Sequence, residues 1–293
     1  MRPDFSVLFL TTLIGAGQGL FLALVAAQAG VLFRLLPAPQ HPAAFFAIGA
    51  AIAFAATALG LVSSFFHLGR PERGWRAIAR WRTSWLSREV IVLPAFLGVV
   101  ALYGLVHASP WDVPLANPGS GAAFAPSLLV GAVGAVLAVA LYVCTAMIYA
   151  CLRFLPEWHS PYTVANFVLL GTGSGATLAS AYAAYAAPAL VPFFAWSALA
   201  LTLAGLASRG ASLVRNARIV PRSTLQTAIG IKHPRIVQTS AGFERHSFNT
   251  REFFHRAAPG ALVAVKWSFL AAAFVVPAIL LAAGLRLEAG SAL

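Results

Sequence analysis

A histidine and a carboxylate frame the most polar stretch of an otherwise apolar chain. His67 and Glu89 lie near the two ends of FFHLGRPERGWRAIARWRTSWLSREV, residues 65–90, which also holds six arginines and three tryptophans. A hydroquinone must shed two protons as it gives up two electrons. A neutral imidazole can exchange one near neutral pH, and a carboxylate in a partly dry site can exchange the other. Gly69 would let a ligand approach the backbone closely, and Pro71 would stiffen the turn. A second reading of the same residues pairs Glu89 with an arginine such as Arg88 or Arg73 and gives the other arginines to lipid phosphates. Ionisable groups at such depths are functional candidates by default.

The elements around this stretch must be membrane spans. Of 293 residues 60% are hydrophobic and only 10% charged, and mean hydropathy is +0.81. A soluble domain carries about 25% charged residues. Seven apolar segments run over 6–33, 43–66, 90–108, 122–150, 163–185, 188–208 and 260–285. Each approaches or exceeds the ~20 residues that cross a bilayer, and backbone groups in lipid must pair within the segment. The expected fold is therefore all-α, a polytopic transmembrane helix bundle, with 1–293 as one integral membrane domain. The third segment is short as drawn, so its helix can begin before Val90. The first run is too long for the apolar region of a signal peptide and reads as a retained span. Pro277 should kink the seventh span. GTGSGA, residues 171–176, permits close helix contact or lines a cavity.

Charge sets the orientation. With seven spans, the N-terminus and the second, fourth and sixth connections share one side. Eighteen of the 20 Lys+Arg fall there, leaving only Arg34 and Arg286 on the other. The basic side is expected in the cytoplasm, which accounts for the net charge of +12 without any nucleic-acid partner. The sixth connection, 209–259, is long and mixed in composition. It reads as a cytoplasmic docking loop for a soluble partner, against the plainer reading of a basic tether.

The remaining chemistry is sparse. Two cysteines, Cys144 and Cys151, cannot hold an iron–sulfur cluster by themselves. The seven histidines fall in connections or at span edges, so no haem and no zinc set is expected in this chain. Nucleotide loops and a nucleophile elbow are absent from the sequence. Any electrons must come from a cofactor-bearing partner.

HLGRPERGWRA, residues 67–77, followed by TSWLSREV, residues 83–90, resembles the membrane-anchor subunits of the dimethyl sulfoxide reductase type. The resemblance spans residues 1–285 and is sharpest over 63–90. It implies a subunit in the bacterial inner membrane that exchanges electrons with ubiquinone or menaquinone. Its implied partners are a molybdopterin catalytic subunit, a four-cluster iron–sulfur subunit and membrane lipids. It places quinone-site roles on His67 and Glu89, with Gly69 and Arg73 as further quinone-binding or shaping positions. Two departures stand out. Those anchors have eight spans against seven here, and they carry their partners on the periplasmic side.

The inverted charge bias resembles the cytoplasmic sulfite dehydrogenase branch instead, as do WRTSWLSREV, STLQTAIGIKHPRIVQTSAGF and SFNTREFF. That resemblance implies electrons passing from sulfite oxidation to quinone, with His67 and Glu89 delivering protons. A sulfoxide or other oxyanion reductase anchor oxidising menaquinol is the alternative. A transporter is a third reading, but coupling residues in transporters commonly lie near the midplane. Here they gather at one face.

Overall fold

Seven long helices answer the apolar pattern. The computed structural model describes residues 5–66, 68–110, 115–116, 123–220, 225–230, 232–233 and 258–291. The first six spans are α1 (Phe5–Leu32), α2 (Pro42–Phe65), α3 (Trp85–Ala108), α4 (Pro126–Ala150), α5 (Pro161–Ala186) and α6 (Val191–Ala217). A short helix, α7 (Leu225–Ile229), follows. The seventh span joins α8 (Pro259–Leu270) to α9 (Val276–Ser291) through a π turn at Ala271–Val275. Among the described residues the β structure is one antiparallel pair, Leu115–Ala116 with Ala123–Phe124. The chain is an all-α, seven-span membrane bundle.

Local chemistry sets the helix starts. Prolines occupy the first turns of α2, α4 and α5, where a missing N–H costs nothing. Ser84 caps α3 by accepting from the Ser87 N–H, and Ser160 caps α5 by accepting from Tyr162. The Ser84 cap moves the start of the third span from 90 to Trp85. The sixth span runs past 208 to Ala217, because Arg209 and Arg215 do not interrupt the helix. The sixth connection therefore begins at 218, not 209. Residues 221–224, 231 and 234–257 of the expected docking loop lie outside the described residues. The π turn falls just before Pro277, whose absent N–H breaks the regular ladder there.

α1 is the hub. It packs against α2, α5 and α4, while α3 joins α2 to α4 and α6 leans on α5. The α1–α5 crossing is backbone on backbone. A Cβ on Gly175 would overlap the main chain at Gly19 and Leu20, and one on Gly19 would meet the Gly171 carbonyl. GTGSGA is thus a packing seam. Buried polar side chains tie the hub to its neighbours. Gln18 Nε2 donates to the Ala138 carbonyl at 3.0 Å, and the Tyr142 hydroxyl donates to the Gly15 carbonyl at 2.7 Å. Gln28 donates to Ser127 and accepts from Tyr103. Interhelical bonds of this kind contribute about 0.6–2 kcal/mol each in membranes. The seventh span is peripheral. It packs on α6, where Phe274 is buried beside Gly205.

Candidate functional site: a polar cavity at the basic end of the bundle

Glu89 sits on the second turn of α3, about 6 Å along the axis from Trp85 at 1.5 Å per residue. It is buried, at 9% exposure. Its carboxylate accepts a 2.5 Å hydrogen bond from the Thr145 hydroxyl on α4. No arginine among the described residues pairs with it. Arg88, the next residue, turns away to donate to the carbonyls of Trp81 and Arg82 and lies 4.2 Å over the Trp85 ring. Arg73 is exposed on the 3₁₀ segment Pro71–Arg80 and meets Glu72 at 3.8 Å. The Glu89–arginine pairing read from sequence is corrected. Helical geometry separates adjacent side chains by about 100°, so Arg88 and Glu89 cannot share one face.

Glu89 opens onto a cavity of about 490 Å³. Its walls come from the starts of α1, α3 and α5 and the ends of α4 and α6, all at the basic end of the bundle. α4 contributes Tyr142, Thr145 and Tyr149. Tyr149 stacks on Phe167 of α5 at 5.6 Å and meets Trp158 edge-on at 5.3 Å, which gives the cavity an aromatic side. The Tyr142 hydroxyl already donates to Gly15, so its proton is committed to packing. α5 adds Asn166, Gly171 and Ser174, and α6 adds Arg209, Ser212 and Asn216. The size and mixed lining fit a small-molecule site.

Two atoms in this lining lack partners. The Asn166 Oδ1, on a residue 7% exposed, and the Arg209 Nε are buried with no hydrogen bond among the described residues. An amide oxygen left this way costs about 1–3 kcal/mol, and a charged donor costs more. The Arg209 guanidinium lies 5.7 Å over the Phe269 ring of the seventh span.

The rim is latched. Arg215 on α6 donates to the Pro156 and His159 carbonyls of the fourth connection, and Asn216 donates to the Glu157 carbonyl. The described residues of the second connection are not in the cavity lining. Its arginines and tryptophans pair with one another, Arg76 over Trp75 at 5.7 Å and Arg82 over Trp81 at 5.3 Å. Exposed Trp75 and Trp81 suit the headgroup layer, where an aromatic body and a charged neighbour are both solvated.

Of the residues given quinone-site roles from the sequence, Glu89 is the one among the described residues found in the cavity lining. Gly69 is exposed, with nothing near the place a Cβ would take, and neither it nor Arg73 lines the cavity. His67 lies outside the described residues. Thr145, Asn166 and Arg209 were not singled out. Their signal is helical spacing of polar residues in apolar spans: 142, 145, 149 on α4; 163, 166, 174 on α5; 209, 212, 216 on α6. Among the described residues no three His, Cys, Asp or Glu gather as a metal site.

Residues 2–231 match the family described as DMSO reductase anchor subunit (DmsC). The chain belongs to this family. A curated relative, one of the subunits of the sulfite dehydrogenase of Allochromatium vinosum, is 51% identical over 281 residues, covering 96% of this chain and 86% of that protein. No solved structure matches. As a DmsC-type anchor, the chain is the membrane-anchor subunit of a molybdopterin oxidoreductase complex. Glu89 and its cavity fall within the matched residues of that anchor.

Proposed function

We propose that this anchor reduces quinone in the Glu89 cavity with electrons that a cytoplasmic partner takes from sulfite. The observation that carries the reading is the buried Glu89 carboxylate, held by Thr145 and facing a cavity at the basic end of the bundle. Quinone takes up two electrons and two protons to become quinol. Electrons enter from an iron–sulfur subunit docked on the cytoplasmic face, which is fed by a molybdopterin subunit oxidising sulfite. Glu89 delivers one proton to the ring oxygen beside it and is reprotonated from the cytoplasmic side. His67 supplies the second, and Gly69 and Arg73 shape its approach. The connection after α6 serves as part of the docking surface. The sulfite substrate is supported by the 51% identical relative whose name carries it. Sulfoxide reduction with menaquinol as donor is the second reading, supported by the description of the matched family.

The test is electron transfer from sulfite to a quinone analogue in membranes containing the whole complex. Glu89→Gln runs beside wild type, with an artificial acceptor as control. General acid–base groups typically contribute 10²–10⁴-fold. Quinone reduction is therefore expected to fall at least about a hundredfold while the artificial acceptor is reduced normally. His67→Gln should behave similarly. Normal quinone kinetics in Glu89→Gln would remove the site. Sulfite activity missing with both acceptors in an intact, metal-loaded complex would remove the substrate.

A further inference from the structure

We propose that Asn166 and Arg209 form a second binding pole of this cavity and hold the quinone ring oxygen farther from Glu89. This rests on the reading of the cavity as a quinone site. Glu89 stands on α3 and Arg209 on α6, and among the described residues those two helices share no substantial packing. The cavity takes lining from both, and Asn166 belongs to α5, the helix against which α6 chiefly packs. A para-quinone carries its two oxygens at opposite ends of one ring, so a ligand with one oxygen at Glu89 presents the other across the cavity.

The two unpartnered atoms are chemically complementary to that second oxygen. Arg209 Nε–H can only donate, and Asn166 Oδ1 can only accept. A quinone carbonyl accepts from Arg209. After reduction the same oxygen, now a hydroxyl, still accepts from Arg209 and also donates to Asn166. Arg209 therefore serves both redox states, and the pair is fully satisfied by the quinol. A lipid phosphate would answer Arg209 but, having no proton to give, would leave Asn166 unsatisfied. The Phe269 ring against the guanidinium fixes Arg209 from outside the cavity. In this arrangement the pair positions the ring, and proton delivery stays with the Glu89 side.

Steady-state kinetics of the purified complex test the assignment, with a short-tailed para-quinone and an artificial acceptor compared in Asn166→Leu and Arg209→Gln. Arg209→Gln is expected to raise the quinone KM about tenfold and Asn166→Leu to weaken product inhibition by the quinol about tenfold, with kcat and the artificial-acceptor rate within about twofold of wild type. That split differs from Glu89→Gln, which lowers kcat. An unchanged quinone KM in Arg209→Gln together with unchanged quinol inhibition in Asn166→Leu overturns the proposal and leaves the two atoms to water. Equal loss with both acceptors also overturns it, because that pattern marks a structural role. Normal quinone turnover in Glu89→Gln would instead refute the underlying quinone reading, whatever the two variants do.

Discussion

Arg88 and Glu89 are neighbours in the chain, and their side chains serve opposite ends of one design. Arg88 reaches back to close the turn that starts α3, through the Trp81 and Arg82 carbonyls and the face of Trp85. Glu89 points inward to Thr145. The arginine fixes where the helix begins, and the helix phase then aims the carboxylate. A local charge pair would have left Glu89 at the surface.

Thr145 is expected to matter through Glu89 alone. A hydrogen bond to an ionised group is worth about 1.5–3 kcal/mol, and 1.4 kcal/mol is tenfold. Thr145→Val should slow quinone reduction roughly tenfold, whereas Thr145→Ser should retain most of it. The ratio of quinone to artificial-acceptor rates measures this. Equal rates in Thr145→Val and wild type would show the bond to be idle.

The glycine seam supplies an internal control. Gly175→Ala forces a methyl into the α1 backbone, and overpacking costs typically 1–3 kcal/mol. Two residues away, a Cβ on Gly173 would sit 3.6 Å from Leu201, an ordinary contact. Thermal unfolding in detergent should show a lower Tm for Gly175→Ala and little change for Gly173→Ala. Equal behaviour of the two variants would contradict the crossing.

The seven spans were legible because ~20 apolar residues in a row admit few structures. Their ends were less so. Ser84 extended α3 backwards by a cap, and α6 carried two arginines past the point where charge seemed to end it. Glu89 was legible as a carboxylate beside a span. Its neighbours were not, since Thr145, Asn166 and Arg209 become one site only once α3, α4, α5 and α6 are arranged around a common space. Gly69 and Arg73 were drawn from the same motif and remain at the surface, so closeness in sequence was a poor guide there.

Arg215→Ala should loosen the fourth connection. Its guanidinium holds two carbonyls of that segment. Hydrogen exchange over 151–160 is expected to speed up about tenfold, in line with losing a charged hydrogen bond. Exchange in α1 should stay the same. Faster exchange throughout the bundle would point to a global role instead.

The two cysteines report on orientation. Cys151 is exposed in the fourth connection and Cys144 is buried. With the basic side in the cytoplasm, a membrane-impermeant maleimide should label inside-out vesicles and spare intact spheroplasts. Cys151→Ser should abolish the signal. Labelling of spheroplasts would invert the topology.

The α1–α5 crossing has a consequence for how such a cavity can change. Gly15 and Gly171 line it, so part of that wall is bare main chain. Main chain has no rotamers to swap, and a side chain added at Gly171 would collide with Tyr142. That wall is therefore a fixed template. Any adaptation to a broader or narrower ring has to be made from the side chains elsewhere in the lining, which gives the site one rigid strip and a remainder that mutation can reshape.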